Sequence, residues 1–131
     1  FSFKEAELWA KELFSKYPDT DGVIASNDIV ATAVMHEAHR LGKKIPEDVQ
    51  IIGFDDIPLS SLLFPPLSTI RQPAYEMGWE AAGLLIQLIE QSQATKSSVP
   101  ILHSKVLTYS SIQLPVKFIE RETTRKVDHH G

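Results

Sequence analysis

Two short apolar runs, GVIA at 22–25 and VQIIGF at 49–54, leave this chain few folds to choose from. GVIA is too apolar to have a solvated face, which points to a parallel sheet covered on both sides. Between the two runs, SNDIVATAVMHEAHRLGKKIPEDV reads as a capped helix over 28–41, stopped at Gly42 with Pro46 beyond. Ahead of them, Ala6, Trp9, Ala10, Leu13 and Phe14 recur at i, i+3, i+4, i+7 and i+8, one face of a helix over 3–17. Ser2 and Glu5 have the spacing of a capping box at its start. Downstream, LSTI at 67–70 reads as a third strand, and PAYEMGWEAAGLLIQLIEQ as a helix with Gly78, Ala82, Leu85 and Ile89 on one face. SQATKSS reads as a polar loop, 99–124 as two short strands, and RKVDHHG at 125–131 as a tail. Alternating strands and helices of this kind specify the α/β class with a mainly parallel sheet flanked by helices.

Composition narrows the function. With 131 residues and 43% hydrophobic content the chain can build one core. Its 13 basic and 17 acidic residues give a net charge of −4, with no basic run suited to a polyphosphate groove, so this chain alone is not expected to grip DNA. The absence of cysteine excludes disulfides, thiolate catalysis and Cys-based zinc sites. No apolar run approaches the ~20 residues that span a bilayer. A start at Phe1 without a signal pattern is expected of a processed chain or a fragment.

In open α/β sheets, ligands bind outside the carboxyl ends of the strands. The residues there are Ser26, Asn27 and Asp28 after the first run, and Asp55 and Asp56 after the second. Capping and turn formation account for two of them: one of Asn27 and Asp28 can cap the helix, and Asp56 can open the loop before Pro58. The remaining pair can accept and donate hydrogen bonds as sugar hydroxyls require. A magnesium or phosphoacceptor site needs a third carboxylate and a Lys or Thr, and neither has a clear place. His36 and His39, with His129 and His130 in the tail, form no zinc pattern. Ser60 and Ser61 sit in no nucleophile elbow, and no nucleotide-binding glycine fingerprint is present. No metal and no cofactor is expected. The helix over 28–41 and the loop over 59–64 carry more apolar side chains than one core face needs, which suggests a partner surface.

The stretches IPEDVQIIGFDD, PPLSTIRQP and ER, with the preceding ND, closely resemble the lactose-repressor (LacI/GalR) family of bacterial transcription regulators across 1–124. The resemblance implies a two-lobed fold like that of the periplasmic binding proteins, of which this chain holds part of the second lobe. In that reading 1–70 form second-lobe βα units, 71–98 a crossover and a first-lobe-type helix, and 99–124 the closing strands. It places effector contacts on Asn27, Asp55 and Gln72, facing an interlobe cleft, with Asp56 as a turn residue. It also implies a two-fold dimer interface built from Thr32, Met35, His36, Leu62, Leu63 and Phe64. The function implied is a non-enzymatic, cytoplasmic sensor in which a small effector, a sugar, shifts affinity for operator DNA held by an N-terminal helix-turn-helix outside this chain. A periplasmic sugar-binding transport protein shares the fold and is the competing reading.

Overall fold

The computed structural model describes residues 2–95 and 111–127. They fall into two units, divided between Gln72 and Pro73 and again between Val116 and Lys117. The first unit holds, in chain order, α1 (Phe3–Lys16), β1 (Gly22–Ile24), α2 (Asp28–Arg40), β2 (Gln50–Asp55), a 3-10 turn (Pro58–Leu62), β3 (Ser68–Arg71) and β4 (Lys117–Ile119). The second holds α3 (Ala74–Thr95).

Helix α1 forms where the local chemistry asks for it. The Ser2 side chain accepts from the Glu5 amide, and the Glu5 carboxylate returns a bond to the Ser2 amide at 2.7 Å, which satisfies donors that no helical carbonyl can reach. Tyr17 lies just outside, as the C-cap. Of the face expected to be apolar, Ala6, Ala10 and Phe14 are buried, whereas Trp9 is exposed. Helices α1 and α2 pack on each other. Small alanines at buried positions of both, among them Ala6, Ala10, Ala31 and Ala38, permit that close approach.

The sheet order is β1-β2-β3-β4. The first three strands run parallel, with Ile24 opposite Ile52 and Asp55 opposite Arg71. Strand β4 is antiparallel to β3, pairing Arg71 with Lys117 and Thr69 with Ile119. The core gathers Phe14, Val34, Met35, Val49, Ile51 and Leu67 between α1, α2 and the sheet. Behind β4, the segment ERETT is tied to the sheet: Thr123 Oγ1 accepts from the Ser68 amide and donates to the Ile51 carbonyl, and its backbone carbonyl accepts from the Ile51 amide.

Three expectations need correction. The first apolar run is not covered on both sides, because Ile24 is 84% exposed. Alternate residues of a strand point to opposite faces, and Val23 packs against the core while Ile24 points the other way. Second, α3 runs through the first half of the expected polar loop to Thr95. Ser, Gln and Ala contain no helix breaker, and polarity alone does not end a helix. Third, of the two strands expected over 99–124 one is β4, and the other part of that range, 99–110, lies outside the described residues. Among the described residues no helix is long and apolar enough to cross a membrane.

Candidate functional site

Three adjacent parallel strands end side by side, and each delivers one polar residue. Asn27 follows β1, Asp55 closes β2, and Gln72 follows β3. With strands spaced about 4.8 Å apart, three neighbouring ends span roughly 10 Å, the scale of a single sugar ring.

Asn27 is the N-cap of α2: its Oδ1 accepts from the Val30 amide at 2.9 Å, which orients the side chain and leaves the Nδ2 donors uncommitted among the described residues. Asp55 is exposed and sits at φ 117°, a backbone conformation that side chains with a Cβ rarely adopt. Asp56 follows at φ 56°. Two consecutive positive φ values outside glycine represent stored strain, which concentrates where a side chain must be aimed. Gln72 Nε2 donates to Asp55 Oδ1 at 2.6 Å, so two of the three expected effector residues touch each other. Both keep polar atoms available for a ligand.

Asp56 is more than the turn residue expected from the sequence. Its carboxylate is buried and takes Arg71 Nε on one oxygen and Arg121 on the other, each at 2.7 Å. Arg121 also donates to the Leu67 carbonyl at 2.9 Å, so it is held from both sides. Burial by itself pushes the Asp56 carboxyl upward, but the two guanidinium groups outweigh it and hold the carboxyl below its ordinary value. A depressed folded-state pKa contributes stability that is complete above the unfolded value of about 3.9 and is lost as pH falls through the folded value. Asp56→Asn is therefore expected to lower the melting temperature at pH 6, with the difference from the unmodified chain closing below about pH 4. Melting curves across that range check it.

The role that sequence reasoning misses is that of Asp28. The sequence offers it as the cap or as one of the ligand-binding pair, yet it is 1% exposed, and its carboxylate accepts from the Ile57 amide at 2.9 Å and from Ser60 Oγ and Thr69 Oγ1 at 2.5 Å each. Gly53 makes the room. A Cβ there would overlap Asp28 Oδ1 outright and meet Leu67 Cδ2 at 3.0 Å. A glycine inside an apolar strand is the signal that could have pointed to this close approach. The same contacts explain Ser60, whose hydroxyl is buried against Asp28, while Ser61 Oγ donates to the Pro58 carbonyl at 3.1 Å.

The expected dimer residues divide. Leu62 and Phe64 are 77% and 89% exposed, and His36 is exposed on α2. Thr32 is half-buried, its hydroxyl donating to the Asp28 carbonyl at 2.7 Å, and Leu63 packs partly against the core. Met35 does not join them. At 3% exposure it belongs to the chain's own core, in the cluster that gathers residues of α1, α2 and the sheet. His39 donates through Nε2 to the Phe64 carbonyl at 3.1 Å and so ties α2 to the exposed loop. Among the described residues no group of three or more His, Asp or Glu could hold a metal ion, and His129 and His130 lie outside them.

Residues 2–124 match the family described as periplasmic binding protein-like domain. The ribose operon repressor of Bacillus subtilis (strain 168) is 59% identical over 128 residues, 98% of this chain and 35% of that protein. The ribose operon repressor of Lactococcus lactis subsp. lactis (strain IL1403) is 43% identical over 126 residues, 96% of this chain and again 35% of its own length. This chain thus spans about a third of the curated relatives it matches. Among solved structures, a LacI family transcriptional regulator from Arthrobacter sp. FB24 in complex with lactose superposes with a TM-score of 0.73 at 32% identity, covering 95% of this chain and 42% of that one. A LacI family regulator from Enterococcus faecium with bound ribose gives 0.68 at 30% identity, covering 98% and 42%.

Proposed function

Since this chain belongs to the periplasmic binding protein-like family in its LacI/GalR regulator branch, we propose that it is part of the effector-binding domain of a ribose-responsive transcriptional repressor. The observation that carries the reading is the row of three strand ends, with Asp55 held at φ 117° and bonded to Gln72 beside it. Asp55 accepts from neighbouring sugar hydroxyls, Asn27 donates through Nδ2, and Gln72 completes the wall. Residues 1–70 then form second-lobe units and α3 a first-lobe-type helix. The protein acts by binding alone. Sugar binding in the complete cytoplasmic regulator changes the affinity of a separate headpiece for operator DNA, a coupling of free energies between two sites. The high identity to ribose operon repressors and the ribose-bound relative favour a pentose over a disaccharide. Titrating the complete regulator with ribose by calorimetry, with operator release followed in parallel, tests the reading. Ribose is expected to bind and to shift operator affinity, and a protein silent to ribose but responsive to another class of ligand would overturn it.

The regulator is read as a dimer whose two-fold contact includes Leu62 and Phe64, with Thr32 and His36 from α2 beside them. Exposed apolar side chains grouped on one loop are what such an isologous contact needs. Losing two central apolar anchors, each contributing at least about 1 kcal/mol, weakens dimerisation roughly thirtyfold. Leu62→Glu with Phe64→Glu is expected to yield monomers by light scattering at concentrations where the unmodified regulator is a dimer.

A further inference from the structure

We propose that Asp28 is the positioning residue of the effector site, holding Asn27, Asp55 and Gln72 in mutual register; the inference rests on the effector-binding reading above. The carboxylate reaches three elements at once. It begins α2, directly after Asn27; it takes the Ile57 amide, two residues beyond Asp55; and it takes Thr69 Oγ1 on β3, three residues before Gln72. Every strand end that presents a candidate effector residue is therefore tied to one buried group. Ser60 adds a fourth anchor in the 3-10 turn, which leads into the exposed Leu62 and Phe64.

A fold that sought only stability has little reason to keep this arrangement. Among the described residues no cation pairs with Asp28, and a buried carboxylate neutralised only by hydrogen bonds is a costly filler compared with an apolar side chain of similar volume. Its bonds are directional, however, and a packed leucine's are not. Binding a small polyol demands that donors and acceptors be held to a fraction of an ångström, with the supporting groups themselves locked by hydrogen bonds. Gly53 extends the argument, since the strand gives up a side chain to admit Asp28 Oδ1. The backbone at Asp55, unfavourable by itself, is over-determined by this pin on one side and by the Asp56 ion pairs on the other.

The test uses the complete regulator carrying Thr69→Val, Thr69→Ser or Asp28→Asn. Valine keeps the volume of Thr69 and removes its donor, while serine restores it. Asparagine can still accept from Ile57 and Ser60 through its oxygen and can donate to Thr69 Oγ1 through its amide. Two quantities are read: ribose affinity by calorimetry, and amide exchange of the ligand-free protein at Ile57 compared with Ile51. Thr69→Val is expected to lose about fivefold in ribose affinity, the equivalent of one hydrogen bond. It should also accelerate exchange at Ile57 without affecting Ile51. Thr69→Ser should recover both within about twofold, and Asp28→Asn should fall between. Thr69→Val with unmodified affinity, or with exchange raised equally at Ile57 and Ile51, would overturn the positioning role and reduce Asp28 to general support. A regulator that binds no ribose at all would sink the effector reading, and the exchange comparison would still decide whether Asp28 fixes the strand ends.

Discussion

Replacing Asp55 by glycine in the complete regulator is expected to lower sugar affinity by roughly 10- to 150-fold, the loss of one charge-assisted hydrogen bond of about 1.5 to 3 kcal/mol, while the melting temperature stays within a few degrees. The second half of the expectation comes from the backbone. Asp55 occupies φ 117°, where glycine is unstrained. Relief of about 1 to 3 kcal/mol of backbone strain offsets the greater chain entropy of glycine, about 0.5 to 1 kcal/mol, and the lost bond from Gln72. A residue kept for folding gives the opposite pattern, with stability falling first. Asp55→Asn isolates the charge, because asparagine tolerates positive φ nearly as well as aspartate and still accepts from Gln72. Calorimetry and thermal melts on both variants read the result, and unchanged affinity in Asp55→Gly would remove Asp55 from the site.

Gly53→Ala is expected to be the most damaging glycine-to-alanine change among the described residues, costing about 2 to 6 kcal/mol. The added Cβ collides with Asp28 Oδ1 and closes to 3.0 Å from Leu67 Cδ2 and 3.2 Å from Asp28 Cγ. Overpacking a buried site costs about 1 to 3 kcal/mol. The displaced carboxylate cannot swing aside without breaking bonds to Ile57, Ser60 and Thr69, and stranding those buried donors adds about 1 to 3 kcal/mol. Gly22 supplies the control: it opens β1 with nothing within 4 Å of an added Cβ, so Gly22→Ala should change stability by less than about 0.5 kcal/mol. Urea unfolding of the two variants decides between them. Equal midpoints would mean that β2 and α2 can shift apart at little cost.

The features legible in the sequence share one physical property: their partners lie within a few residues. Ser2 and Glu5 cap α1 three residues apart, Asn27 caps α2 through Val30, and Gly42 ends the same region at φ 74°. The ends of the first two strands were equally readable, since in a parallel sheet with helical crossovers the polar residue after each apolar run lands on one edge. Sequence alone therefore determined the α/β class and put Asn27 and Asp55 at strand ends, whereas Gln72 enters only through the family resemblance. It could not assign Met35, because α2 is apolar on several sides and only packing against β2 decides which of them faces the core. Nor could it separate the adjacent Asn27 and Asp28 into a cap and a buried pin. The Asp28 carboxylate is satisfied by groups 29, 32 and 41 residues away, and Asp56 by Arg71 and by Arg121 beyond α3. Such partners come within reach only once β2 and β3 lie side by side, so tertiary structure, which brings distant donors to a buried acceptor, decided what those carboxylates do.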